Sequence, residues 1–179
     1  MIGVLVSGEG TNLQALIDQG LPVVAVASNK PGVRALRRAE EAGIPAASFP
    51  LEDYSSRAER DLAMADWLEQ HGASLIVCAG YMHLLTPSFL DRFPGRVVNV
   101  HPSLLPAFPG TRSIEEALAA GATETGVTVH LVDEGVDSGP ILAQERIPIL
   151  PGDTPDTLRE RLQSVEHRLL PQVVRSLLP

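Results

Sequence analysis

Ile2–Ser7, Pro22–Ser28, Ser74–Cys78 and Arg96–Val100 are short runs built mostly from apolar and β-branched residues, each separated from the next by turns and helical patterns. A strand without polar alternation must be buried on both faces, and a parallel sheet covered by helices on its two sides provides that environment. The intervening helices are read over Thr11–Gln19, Val33–Ala42 and Ser55–Gln70. Gly43 stops the second, and Ser56 with Glu59 has the spacing of a capping box for the third.

The last third of the chain changes pattern. Over Thr125–Val132, Val127, Val129 and Leu131 alternate with Thr128 and His130, as in a half-exposed strand. Pro140–Ile149 is a second extended run, so a strand pair is expected to finish the sheet. Thr154 and Pro155 open a final helix whose Leu158, Leu162, Val165, Leu169 and Val173 form one apolar stripe. Pro171 lies inside that helix and is expected to kink or break it. The fold class is therefore α/β: a Rossmann-like open, mostly parallel twisted sheet with helices on both faces and a C-terminal antiparallel strand pair. A single domain over residues 1–179 accommodates it.

Composition removes several function classes. With 44% apolar and 20% charged residues, the chain can build a core and is not intrinsically disordered. A formal charge of −8 argues against nucleic acid or an anionic membrane as partner. Lys30, the only lysine, follows Asn29, which excludes the Gly-Lys pair of a Walker phosphate loop. Cys78 stands alone in an apolar strand, so there is no internal disulfide or zinc knuckle, and it reads as a small buried hydrophobe. No signal-peptide pattern is present, and no apolar run reaches the ~20 residues that span a bilayer. A soluble cytoplasmic protein is expected.

Three loops carry candidate chemistry. Ser7-Gly8-Glu9-Gly10-Thr11-Asn12-Leu13 joins the first strand to the first helix, where helix N-terminal amides receive phosphate. Position 13 is not glycine and the second strand ends Ser28-Asn29-Lys30 without an acid, so the dinucleotide fingerprint is absent. A phosphate monoester on Gly10, Thr11 and Asn12 fits this segment as well as a tight turn capped by Thr11 or Asn12. Asn99 and His101, two apart, share one side of an extended segment at a strand's carboxyl end. An amide beside an imidazole suits oxyanion stabilisation and proton transfer; a capping Asn and a structural His is the plainer reading. Asp133, Glu134 and Asp137 form an acidic loop, either a solvated turn or a source of the carboxylate that favours His101 as imidazolium. His101, His130, Asp133 and Asp137 match no metal-ligand spacing, so no metal is expected.

Taken together, these segments resemble the phosphoribosylglycinamide formyltransferases (glycinamide ribonucleotide transformylases), folate-dependent formyltransferases of purine biosynthesis. The resemblance rests on Ser7-Gly8-Glu9-Gly10-Thr11-Asn12-Leu13-Gln14, Ala79-Gly80-Tyr81-Met82 and Asn99-Val100-His101-Pro102-Ser103-Leu104-Leu105-Pro106. It continues through Gly126–His130 to Asp137-Ser138-Gly139-Pro140, with Glu166-His167 ahead of Pro171. It implies direct formyl transfer from 10-formyltetrahydrofolate, as cosubstrate, to the amine of 5'-phosphoribosylglycinamide through a tetrahedral intermediate. Asn99 and protonated His101 would stabilise the oxyanion, with Asp137 holding His101. Gly10, Thr11, Asn12 and Leu13 would take the phosphate, and Gln163 and Glu166 the ribose or glycinamide end. Arg57, Met82, His83, Leu84 and Leu85 would line the folate site with Asn99, Asp133, Glu134, Gly135, Val136 and Asp137. His130 would be structural or stand behind the reacting groups. The partners implied are small molecules, and a homodimer is left open.

One position departs from the family pattern. Many relatives carry Arg where this chain has His83, which puts a charge contact to the folate's glutamate tail in question and predicts a pH-dependent tail affinity. Two other functions remain: a 10-formyltetrahydrofolate deformylase, which passes the formyl group to water, and a non-catalytic Rossmann-type binding domain. The joint presence of Asn99, His101 and Asp137 counts against the second, since binding alone requires no proton shuttle.

Overall fold

The computed structural model describes residues 1–179 and contains one seven-stranded sheet. Its strands are β1 (Ile2–Val6), β2 (Val23–Ser28), β3 (Ala46–Ser48), β4 (Leu75–Cys78), β5 (Val97–His101), β6 (Glu124–Leu131) and β7 (Ile141–Pro148). They lie in the order β3-β2-β1-β4-β5-β6-β7. Pairing is parallel from β3 through β5 and antiparallel at β5–β6 and β6–β7. Six α-helices, α1 (Thr11–Asp18), α2 (Arg34–Glu41), α3 (Arg57–Gln70), α4 (Pro87–Leu90), α5 (Ser113–Ala119) and α6 (Pro155–Ser176), pack around it.

The apolar runs do what their composition requires. Ile2, Val4 and Val6 of β1 point into a 24-residue core cluster shared with α1, α2 and α6. Leu5 points the other way, into a 14-residue cluster with Met64 and Leu68 of α3 and Phe89 of α4. All four β1 side chains are fully buried, and each contributes ~1.5–3 kcal/mol by leaving water. This double burial is what a strand without alternation needs.

Local differences from the expected pattern have physical causes. β3, α4 and α5 were not legible in the sequence, because three to seven residues are too few to establish a period. Helix α6 runs unbroken through Pro171. Proline frees the carbonyl four residues earlier, and here that carbonyl, on His167, accepts a bond from Gln19 Nε2 at 3.2 Å. Ser56 caps α3 by accepting the Glu59 N–H at 3.1 Å, but the Glu59 carboxylate turns back to Ser55 and leaves the box half made. A complete capping box forms at Thr154 and Thr157.

β6 is not half-exposed: Thr125 through His130 are all buried. The segment after β5 lies over its polar face, and the outer strand β7 is the half-exposed one. β2 and β4 flank β1 on opposite sides. The chain therefore diverges at the carboxyl ends of these strands, where an open α/β sheet forms its crevice.

Candidate active site

A cavity of about 520 Å³ occupies that crevice. It is lined by the β1–α1 turn, the segment after β4, the end of β5, the β6–β7 loop, and Gln163 and Glu166 of α6. Gly10, Thr11, Asn12, Met82, His83, Leu84 and Leu85 all contribute to its wall, as do Asn99 and His101. Asp133, Gly135, Val136 and Asp137 join them. Three predicted site residues do not: the Leu13 side chain is buried in the core, Arg57 heads α3 outside the cavity, and Glu134 is exposed. Leu13 can offer only its backbone N–H.

Helix α1 begins at Gly10 with no side-chain cap, so neither Thr11 nor Asn12 plays the capping part open to it in the sequence. The N–H groups of Glu9 through Leu13 have no partner within the protein, and the first bond of the turn runs from Gln14 N–H to Gly10 C=O at 2.9 Å. Consecutive free amides at a helix start attract an anion through their hydrogens and the helix dipole. Gly10 makes the turn possible. Its φ is +75°, and a Cβ there would sit 2.6 Å from Ala35 Cβ. The Asn12 side chain turns toward α6: its Nδ2 donates to Glu166 Oε2 at 3.0 Å, leaving buried Oδ1 without a partner.

β5 and β6 place a cluster of polar side chains at the cavity wall. Asn99 pairs across the sheet with His130, so their side chains are neighbours on one face. His130 Nδ1 donates to Leu131 C=O at 2.9 Å, while Asn99 Nδ2 lies 3.2 Å from His130 Nε2 and 3.5 Å from Asp137 Oδ1. His101 Nδ1 is 3.4 Å from Asp137 Oδ2, and its Nε2 donates to Phe108 C=O at 2.9 Å. Both atoms facing this ring are acceptors, so only a ring with a hydrogen on each nitrogen satisfies both.

Asp137 reaches this position from a loop that fastens itself. Asp133 Oδ1 accepts the Gly135 N–H at 2.9 Å and the Ser138 O–H at 2.7 Å. A Cβ on Gly139 would collide with Leu131 C=O at 1.8 Å, and Asp137 itself takes φ +52°. Asp133 is thus committed to building the loop that turns Asp137 inward. Burial pushes the Asp137 carboxyl up, but His130, the Gly110 N–H at 2.8 Å and His101 together outweigh it and hold it below the usual carboxylate range. The carboxylate is therefore ionised at neutral pH.

Several positioning residues gave no clear signal in the sequence. The Thr128 hydroxyl donates to Ser103 C=O at 2.7 Å and accepts from Leu105 N–H at 3.1 Å and Gln144 Nε2 at 2.9 Å. One donor and two lone pairs are thereby used, so the segment after His101 is tied to β6 and β7. On the opposite wall Ser7 donates to Asn29 Oδ1 at 2.6 Å and accepts the Met82 N–H at 2.9 Å.

His83 stands 3.3 Å from Asn29 and 3.2 Å from Nη1 of the fully buried Arg60. Guanidinium has no lone pair to offer, so His83 Nδ1 faces it bare. Burial, then the Arg60 and Arg57 charges, lowers the His83 pKa. The expected pH dependence of a tail contact at His83 accordingly moves to the acid side of histidine's usual range. No group of three or more His, Cys, Asp or Glu side chains converges as metal ligands do.

Known proteins resemble this chain along nearly its whole length. Residues 1–174 match the family described as formyl transferase. Phosphoribosylglycinamide formyltransferase of Mycobacterium tuberculosis is 46% identical over 179 residues, covering 97% of this chain and 83% of that protein. The trifunctional purine biosynthetic protein adenosine-3 of Drosophila melanogaster is 46% identical over 98% of this chain, which spans only 14% of that protein. The crystal structure of glycinamide ribonucleotide transformylase 1 from Symbiobacterium toebii superposes with a TM-score of 0.95 at 44% identity, covering 97% of this chain and 85% of that one. By its fold, the arrangement of its cavity and these likenesses, the chain belongs to the formyl transferase family.

Proposed function

We propose that this chain transfers the formyl group of 10-formyltetrahydrofolate to the amine of 5'-phosphoribosylglycinamide, a step of purine biosynthesis, as a cytoplasmic enzyme acting within one domain. The observation that carries the reading is the convergence of Asn99, His101 and Asp137 on a cavity that also holds the free amides of the β1–α1 turn. The turn receives the substrate's phosphate. Met82–Leu85 and Gly135–Val136, with Met82, Leu84 and Val136 about half exposed, offer an apolar surface to the folate.

The amine attacks the formyl carbon, a new C–N bond forms, and the formyl oxygen becomes an oxyanion. Asn99 Nδ2 carries two hydrogens, one directed at His130 Nε2 at 3.2 Å and one at Asp137 Oδ1 at 3.5 Å; the second, longer bond is the one exchanged for that oxyanion. Asp137 Oδ2, 3.4 Å from His101 Nδ1, holds the ring in place beside it. As the folate C–N bond breaks, the departing nitrogen takes a proton and the attacking amine loses one. For His101 Nε2 to donate, Phe108 C=O must release its bond.

The proposal is tested with a donor carrying 13C in its formyl group. The label is expected in the N-formyl amide of the product; label found only in free formate would assign the chain to deformylation instead.

Glu166 supports the acceptor side. Burial pushes its carboxyl up despite the Asn12 hydrogen bond. Between the unfolded and the folded pKa, the unfolded state has already lost its proton, so stability falls as pH rises and the deficit persists above the folded value. Glu166→Gln is therefore expected to melt higher than the parent at pH 8, with the gain vanishing at pH 4. Its KM for the ribonucleotide should rise about tenfold as the charged contact is lost. Thermal melts at both pH values and initial-rate kinetics check the pair of effects.

A further inference from the structure

We infer that Arg38 is a positioning residue for the phosphate-binding turn, holding the Glu9 carbonyl against α2 so that the turn's N–H groups face the cavity. The inference rests on the proposed phosphate role of that turn. Arg38 Nε donates to Glu9 C=O at 2.7 Å, and Nη1 donates to Gln14 Oε1 at 3.3 Å in the helix that follows. One residue earlier, Ala35 N–H donates to Gly8 C=O at 3.0 Å. Two successive carbonyls are thus pinned to α2. In a trans peptide the C=O and N–H of one unit point in opposite directions. The units joining Gly8 to Glu9 and Glu9 to Gly10 therefore aim their N–H groups away from α2, and neither N–H has a partner in the protein.

The two anchors differ in kind. Ala35 uses its backbone N–H, which no substitution at that position other than proline removes. Arg38 supplies the only side-chain bond to the turn's carbonyls. The neighbouring Arg34–Glu9 pair is 3.5 Å apart with both side chains exposed, a geometry of small consequence. Without Arg38, the Glu9–Gly10 peptide is free to rotate and withdraw its N–H from the anion. Gly10 cannot oppose this, having no side chain to lock it.

Initial-rate kinetics with two acceptors test the inference: 5'-phosphoribosylglycinamide and the same glycinamide riboside without phosphate. For Arg38→Met, KM for the phosphorylated acceptor is expected to rise about tenfold, with kcat within about twofold and KM for the formyl donor unchanged. On the phosphate-free acceptor, parent and variant should have equal kcat/KM. Arg38→Lys, which keeps a donor for Glu9 C=O, should recover part of the loss, and it carries the test should the Met variant not fold. An unchanged KM for the phosphorylated acceptor, or an equal loss on both acceptors, would overturn the role of Arg38. A parent enzyme that does not prefer the phosphorylated acceptor would instead overturn the phosphate reading of the turn, and this inference with it.

Discussion

His101→Ala is expected to lower turnover by about 10²–10⁴-fold, the usual contribution of a positioned proton donor. The residue ends β5, is 5% exposed, and has acceptors at both ring nitrogens, Asp137 Oδ2 at 3.4 Å and Phe108 C=O at 2.9 Å. Alanine removes the proton carrier without touching the free amides of Glu9 through Leu13, so the ribonucleotide should still bind with affinity within about threefold of the parent. Stopped-flow turnover and calorimetric titration of the ribonucleotide separate the two quantities. A variant that turns over at near the parental rate would exclude His101 from the chemistry. One that loses ribonucleotide affinity to the same degree would show that His101 mainly holds the cavity's shape.

The largest stability effect belongs to a pair outside the chemistry. Arg60 and Asp61 are both fully buried, with Arg60 Nε donating to Asp61 Oδ1 at 2.8 Å. Asp61 Oδ2 also accepts the Thr86 N–H and hydroxyl, each at 2.8 Å, joining α3 to the start of α4. One guanidinium nitrogen, Nη2, has no partner at all. Asp61→Asn leaves that guanidinium uncompensated in the core, which costs ~3–5 kcal/mol. In a domain of this size the melting midpoint should fall by roughly 10 °C or more. A double replacement, Arg60→Met with Asp61→Leu, removes both charges and should recover most of the loss, since a buried pair gains little over well-packed apolar groups. Thermal melts of both variants decide it; an Asp61→Asn midpoint within about 2 °C of the parent would mean that water reaches the pair.

The sheet was legible because its strands carry their environment in their composition. Ile2–Val6 and Leu75–Cys78 have nowhere to go but the middle of a two-faced core, and both lie there. Asn99 and His101 were legible as a pair because strand geometry puts alternate residues on one side, and β5 extends through His101. What the pattern could not convey was long-range pairing. Pro171 reads locally as a helix breaker, and only the contact from Gln19, far away in sequence, relieves it. Thr128 reads as the polar face of a half-exposed strand, yet it is fully buried with every hydrogen-bonding site used. Arg60, fully buried, gives no local sign of its burial, because charged side chains are almost never fully buried unless paired. The family resemblance implies Arg57 at the folate site, while Arg60, three residues on, is the cation that meets His83. The same limit applies to Asn12, whose partner Glu166 lies at the other end of the chain.

The most direct measurement follows loss of the formyl group from 10-formyltetrahydrofolate by absorbance, with and without 5'-phosphoribosylglycinamide, in the presence of a chelator. Turnover that appears only when the ribonucleotide is added is the expected result, because the cavity supplies free amides for its phosphate and an acid–base group for its amine. Equal formyl loss without the ribonucleotide would contradict the account, making water the acceptor and leaving the β1–α1 turn without its ligand.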